Sequence, residues 1–153
     1  MLKLRKADIT DIDLLYKWKN DPVTRMMSFD PRVIPFEEHK NWFTNALNDN
    51  SKRIHLGINE TGENVGVVRI EKKQAGFFEI GINIAPEQRG KGYGTLLIRE
   101  ASEKALSEGF CSKIVAKIRK ENVSSVKVFE KAGYKGKTEI DGDIIAMYFE
   151  AGY

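Results

Sequence analysis

The sequence predicts a mixed α/β (α+β) fold: a central sheet of about six to seven strands flanked by about four helices. Three observations carry that prediction. Between Phe78 and Phe110 the apolar period switches from two to about 3.6. Ile80, Ile82 and Ile84 alternate with Glu79, Gly81 and Asn83, and beyond a glycine-rich turn Leu97, Ile98, Ala101 and Ala105 recur at helical spacing. Strand-like and helix-like segments succeed one another along the rest of the chain without a repeat, linker or low-complexity tract. Lastly, 153 residues suit one domain, 1–153. Such a domain should bury about 70% of the surface its unfolded form exposes.

Taken in order, Leu2 to Lys6 alternates as a short strand. Asp8 to Asp11 offers capping oxygens to a helix with Ile12, Leu15 and Trp18 on one face, and Pro22 ends it by pushing Asp21 out of the helical region. From Val23 to Ile34, with Arg25, Met26, Met27 and Phe29, an irregular connection is expected. Its apolar residues can cover a core edge or form an adaptable pocket wall. Pro35 opens a second helix with Glu37 and Glu38 in its first turn, as the macrodipole favours, and with His39, Trp42, Phe43, Ala46 and Leu47 on one face. Lys52 to Ile58 and Val65 to Glu71 read as strands joined by the turn-forming Asn59 to Asn64, and Lys72 to Gly76 reads as a further turn. Pro86 stops the strand that carries Glu79, Gly109 closes the long helix, and Ser112 to Ile118 supplies another strand. Asn122 can cap a helix that buries Val126 and Phe129 and ends at Gly133. Lys135 to Ile140 and Ile144 to Phe149 then make a hairpin around Asp141-Gly142.

The stretch Arg89-Gly90-Lys91-Gly92-Tyr93-Gly94 lies between a strand and a helix. A helix N-terminus presents about four unpaired N–H groups and roughly half a positive charge, and glycines keep side chains out of an anion's way. Arg89 and Lys91 add two full charges beside that cradle, which therefore reads as a phosphate site. It is not a P-loop, because Gly92 follows Lys91 where Ser or Thr is needed. Nor is it a dinucleotide fingerprint, since Gly90, Gly92 and Gly94 are evenly spaced.

Arg89-x-x-Gly92-x-Gly94 resembles the R/Q-x-x-G-x-G/A pyrophosphate loop of the GNAT superfamily of acyl-CoA N-acyltransferases. The preceding Glu79-x-Gly81-x-x-Ile84-x-Pro86-Glu87 is similar to the family's strand. Asn122-x-x-Ser125-x-x-x-Phe129-Glu130-Lys131-x-Gly133-Tyr134 resembles its second signature, so the two motifs together span the C-terminal half. The resemblance implies the GNAT fold, in which two central strands splay apart beside the phosphate loop. It also implies acetyl-CoA as cosubstrate, held by Arg89, Gly90, Lys91, Gly92, Tyr93 and Gly94, with Asn83 and Ile84 contributing backbone N–H groups toward the oxyanion. Asn122 would bond the pantetheine arm or only cap its helix.

The implied reaction is direct transfer, amine plus thioester giving amide plus thiol. Only about one primary amine in 2,500 is neutral at pH 7, so a base is useful. Glu79 is the candidate, because the family often uses a carboxylate there. The same residue can equally be a strand carboxylate that balances a lysine. The family's proton donor to the departing thiolate is a tyrosine at the place of Phe129, and phenylalanine cannot donate a proton. Tyr134 is the candidate catalytic substitute, with Tyr148 as another, although the position of Tyr134 also suits core packing. An acyl-CoA-binding module without catalysis is the rival class, and an ATP-binding switch is disfavoured by the absent Gly-Lys-Ser/Thr.

The first half, with Trp18-Lys19-Asn20-Asp21-Pro22, Arg25 and Glu38-His39-x-x-Trp42-Phe43, resembles the branch containing ribosomal-protein N-terminal, spermidine and UDP-amino-sugar acetyltransferases. A nucleotide-linked amino sugar is the favoured acceptor, with Arg25, His39 and Trp42 as its binding residues. Glu37, Glu38 and Asp21 keep a peptide N-terminus or polyamine in view. The formal charge of +3 is spread along the sequence and gives no nucleic-acid footprint. Cys111 stands alone, so no intrachain disulfide or cysteine-based metal motif arises, and no metal is expected. With no apolar h-region or membrane-spanning run, a cytoplasmic protein is expected. Its partner would be a small-molecule amine, with homodimerisation left open.

Overall fold

The computed structural model describes residues 2–150. Its seven strands form one mixed sheet. They are β1 Lys3–Lys6, β2 Lys52–Ile58, β3 Asn64–Lys72, β4 Phe78–Ile84, β5 Lys113–Arg119, β6 Lys135–Asp141 and β7 Ile144–Glu150, in the spatial order β1-β2-β3-β4-β5-β7-β6. Every neighbouring pair is antiparallel except β4 with β5, which the helical crossover between them makes parallel.

Five helices cover the sheet: α1 Ile12–Lys19, α2 Pro22–Met27, α3 Phe36–Leu47, α4 Tyr93–Ser107 and α5 Val123–Lys131. The extra one is α2, which falls in the stretch expected to be irregular. Pro22 does end α1, but it also occupies the first position of α2, where its missing N–H costs nothing, and Asp21 caps the new helix by accepting from the Thr24 N–H at 3.1 Å. A short 3-10 turn, Ile9–Asp11, precedes α1 and is capped by Asp8. At the other end of the long helix α4, Gly109 takes φ +72°, and Gly109 and Phe110 return N–H bonds to Leu106 and Ala105.

The helices divide between the two faces. Leu97, Ile98, Ala101 and Ala105 of α4 and Phe129 of α5 pack on Val68, Ile70, Ile80, Ile114 and Ile118. On the opposite face Leu15 and Trp18 of α1 and Phe43 and Ala46 of α3 pack on Ile54, Leu56 and Val67. Trp18 and Phe43 are almost wholly buried, each contributing about 1.5–3 kcal/mol relative to exposure. Cys111 is a buried free thiol whose pKa burial pushes up. No helix among the described residues is long and apolar enough to cross a membrane.

Candidate active site

β4 and β5 are hydrogen-bonded only where they begin, Phe78 opposite Ile114 and Glu79 opposite Val115. Beyond that point β4 stays paired with β3 and β5 with β7, so residues 80–84 and 116–119 face each other across a gap with unpaired edges. Strand twist accounts for the split, because each strand follows its antiparallel partner and the two pairs rotate apart.

At the mouth of the gap, α4 begins. Gly90 and Gly92 take φ +77° and +84°, a left-handed backbone that glycine adopts without strain, and nothing lies within 4 Å of where a Cβ on Gly92 would sit. Gly94 serves packing instead, since a Cβ there would meet Val128 Cγ1 at 3.3 Å. The cradle is therefore open backbone backed by a helix dipole. Lys91 Nζ donates to Gln88 Oε1 at 3.2 Å, and the Tyr93 hydroxyl lies 3.4 Å from Asn59 Nδ2. Arg89 reaches away from the loop, its Nη2 donating to Asp21 Oδ2 at 2.8 Å and to Thr24 Oγ1 at 2.9 Å. The Thr24 hydroxyl in turn lies 3.2 Å from Asn83 Oδ1. Asn122 caps α5, its Oδ1 accepting from the Ser125 N–H at 3.2 Å.

The register fixes what else faces the gap. Glu71, Glu79, Val115 and Tyr148 stand in one row across β3, β4, β5 and β7, on the face roofed by α1 and α3. Glu79 lies 3.4 Å from Lys117 Nζ and 3.9 Å from Lys73 Nζ. Beside it Glu71 is contacted by Lys73, Arg69 and Lys52 at 2.9, 3.6 and 3.7 Å. Burial opposes the charge of Glu71, but the Lys73 hydrogen bond and the fields of Arg69, Lys73 and Lys52 outweigh it and hold the carboxyl below its ordinary range. Glycine at position 81 leaves the space in which the Arg69 guanidinium lies, 2.6 Å from where a Cβ would be. Arg119, at the end of β5, donates to the Ser28 carbonyl at 3.2 Å beneath the Phe29 ring. Lys19, on α1, has its pKa lowered by burial and by the nearby Arg69. None of Lys117, Arg69, Arg119 or Lys19 was singled out as a site residue, because cross-strand register, not sequence spacing, gathers them.

Several expected site residues lie elsewhere. Tyr134 is 2% exposed, its hydroxyl 2.8 Å from buried Ser102 Oγ and its ring against Phe129 and Phe149. Burial raises its phenol pKa, only partly offset by the Ser102 hydrogen bond, and the residue is packed in the core and not on the gap where a thiolate would leave. Arg25 spends its guanidinium on the carbonyls of Asn20 and Pro31. His39 is buried against Tyr16, Trp42 and Phe43, and its Nε2 has no partner. Both are engaged within the fold, Arg25 holding the ends of the segment around α2 and His39 stacked in the roof. Trp42 alone of that trio is exposed, with the Arg69 guanidinium 5.6 Å from its ring.

A split parallel strand pair with a glycine-rich helix N-terminus at its mouth defines a protein that lays an acyl-CoA between two strands and transfers its acyl group. The chain belongs to the GNAT acetyltransferases: residues 1–135 match the acetyltransferase (GNAT) domain. It is an acetyl-CoA-dependent N-acetyltransferase. It is 28% identical over 146 residues to the uncharacterized N-acetyltransferase p20 of Bacillus licheniformis, covering 88% of this chain and 79% of that one. The putative phosphinothricin acetyltransferase YwnH of Bacillus subtilis is 28% identical over 156 residues, 92% of each chain. Among solved structures, the spermidine N-acetyltransferase of Vibrio cholerae in complex with CoA and spermine superposes with a TM-score of 0.83 at 25% identity, over 97% of this chain and 95% of that one.

Proposed function

We propose that this acetyltransferase acts on a primary amine carried by an anionic molecule, a nucleotide-linked amino sugar being the acceptor of that kind favoured here. The observation that carries the reading is the charge of the roofed face beside the gap. Arg69, Lys117, Arg119 and Lys19 converge there, while Glu71 and Glu79 are already met by lysines and arginine. An acceptor diphosphate would draw Lys117 from Glu79 and Arg119 from the Ser28 carbonyl and Glu121, and Trp42 and Phe29 offer exposed rings to a base or sugar. A polyamine, the kind of ligand named for the Vibrio cholerae neighbour, would bring more positive charge to a face that already carries it.

In this reading the loop from Arg89 to Gly94 holds the pyrophosphate by its backbone N–H groups, with Lys91 alongside. The Asn122 oxygen is used by the cap, so its side-chain N–H groups remain for a pantetheine carbonyl. The amine nitrogen attacks the thioester carbon, the oxyanion is stabilised by the Ile84 backbone N–H, which faces the gap because the Asn83 N–H is turned to β3 opposite Val67, and the C–S bond breaks. Glu79 takes the amine proton, directly or through water. The departing thiolate has an ordinary pKa of about 8.5 and can leave without a tyrosine at position 129.

A thiol-release assay with acetyl-CoA against UDP-amino-sugars, spermidine, aminoglycosides and short peptides tests the acceptor. Turnover of the UDP-amino-sugars is expected, with Lys117→Ala and Arg119→Ala raising the acceptor KM by about ten-fold each, one lost charged hydrogen bond apiece. Robust turnover of spermidine or peptides with none on amino sugars would overturn the acceptor and leave the acetyltransferase intact.

A further inference from the structure

Arg89 occupies the family's pyrophosphate-loop position, yet its guanidinium turns away from the loop. Nη2 meets Asp21 Oδ2 at 2.8 Å and Thr24 Oγ1 at 2.9 Å, residues that begin α2 and lie more than sixty positions away in sequence. Asp21 simultaneously accepts from the Thr24 N–H, and the Thr24 hydroxyl lies 3.2 Å from Asn83 Oδ1, next to the expected acyl site. The side chains are largely sheltered, 34% exposed for Arg89 and 17% for Asp21, and the Arg89 hydrogen bond is the chief cause holding the Asp21 carboxyl below its usual range. The guanidinium thus joins the CoA loop to the helix that starts the acceptor-side wall, and Thr24 links that helix on to the end of β4.

We infer that Asp21 and Arg89 form a clasp that positions the acceptor-side wall against the CoA loop, so that α2 responds to CoA bound at residues 89–94. The inference rests on the CoA-loop reading and not on the acceptor's identity. Arg89 stands immediately before Gly90, whose positive φ lets the loop turn, so ordering the loop around a pyrophosphate also fixes the root of the Arg89 side chain. A fixed guanidinium holds Asp21 and Thr24, and with them the cap of α2. By linkage, order in α2 returns the same stabilisation to the loop. Asp21 and Arg89 are positioning residues, because they act through the wall and not on the reacting atoms.

Amide hydrogen exchange of the full chain, with and without CoA, tests this. In the wild type CoA should slow exchange at 89–95 and also at 23–27, the latter by about five-fold or more, the lower end of ordinary coupling between sites. Asp21→Asn keeps an oxygen for the Thr24 N–H, and so keeps the helix, but removes the charge that Arg89 holds. It should abolish the α2 response while CoA still protects the loop. Arg89→Gln should behave alike and the double variant no worse than either, whereas Arg89→Lys, which retains the cation, should restore part of the response. A wild type whose loop is protected while α2 exchanges as before would overturn the clasp. So would an Arg89→Gln protein that loses CoA affinity about ten-fold while Asp21→Asn loses none, since Arg89 would then be a phosphate ligand. An unprotected loop in the wild type would overturn the CoA-loop reading itself.

Discussion

Glu79 is the residue whose role in the reaction is most sharply testable. It stands at the last paired position before β4 and β5 part, so its side chain enters the gap at its root. Lys117 and Lys73 flank it, which is the lysine-balancing role that any strand carboxylate can fill, and the same position suits a base for an incoming ammonium. The two roles separate with pH. If Glu79 removes the amine proton, Glu79→Gln should depress kcat/KM strongly near pH 7 and progressively less toward pH 9.5, where an amine of pKa about 10.4 supplies its own neutral form. A steady-state pH profile with an equal loss at every pH would assign Glu79 to positioning. Tyr134 illustrates the limit of motif reading at this scale. The motif places an aromatic after Gly133, but only packing reveals that its hydroxyl is held by Ser102 in the core.

Among the elements, α4 and its glycine turn were legible because each step has a local cause: an alternating strand, Pro86 as a stop, glycines where φ is positive, and an apolar stripe closed by Gly109. The Asn122 cap was legible for the same reason. Helix α2 was not, since six residues are too few to show a period, although Asp21-Pro22 carries both a cap and a first-turn proline. The cationic face was hidden because it depends on which residues of different strands share a row, and the clasp because it joins a loop to a helix more than sixty positions away in sequence. The glycine turn itself makes a prediction. Asparagine tolerates the left-handed region, so Gly92→Asn should fold and place a side chain in the open space beside the loop. Calorimetry should show CoA affinity reduced about ten-fold or more with a nearly unchanged melting temperature. Gly92→Val should lose stability as well, because a β-branched residue at φ +84° is strained. A folded Gly92→Asn or Gly92→Val protein that binds CoA as the wild type does would remove the pyrophosphate from this loop.

For the molecule as a whole, the two faces of the sheet differ in how they respond to acid. The roof of α1 and α3 encloses His39 among aromatic rings, whereas the α4 side has the half-buried His55 near Lys104. Burial lowers the His39 pKa, partly offset by a backbone hydrogen bond at Ile12, and Lys19 lowers it further. His55 is lowered by burial first and then by Lys104 and Arg53. A histidine lowered on folding is neutral in the core, so its contribution is whole above the unfolded value of about 6.5 and is lost as the pH falls below it. Glu71, also lowered, is the acidic counterpart: its contribution is whole above about 4.3 and is lost as the pH falls through its folded value. Stability should therefore descend in two stages, a first below about pH 6.5 and a second below about pH 4.3. Denaturant midpoints measured from about pH 8 down to about pH 2 should resolve them. His39→Phe keeps a ring stacked on Phe43, removes the partnerless Nε2, and should flatten the first stage, leaving the part that belongs to His55. An unaltered slope between pH 6.5 and pH 5 in His39→Phe would show that the roof accepts a charged imidazole. Because α3 carries both His39 and Trp42, the part of the first stage that belongs to His39 should also appear as faster amide exchange in residues 36–47, and His39→Phe should remove that acceleration.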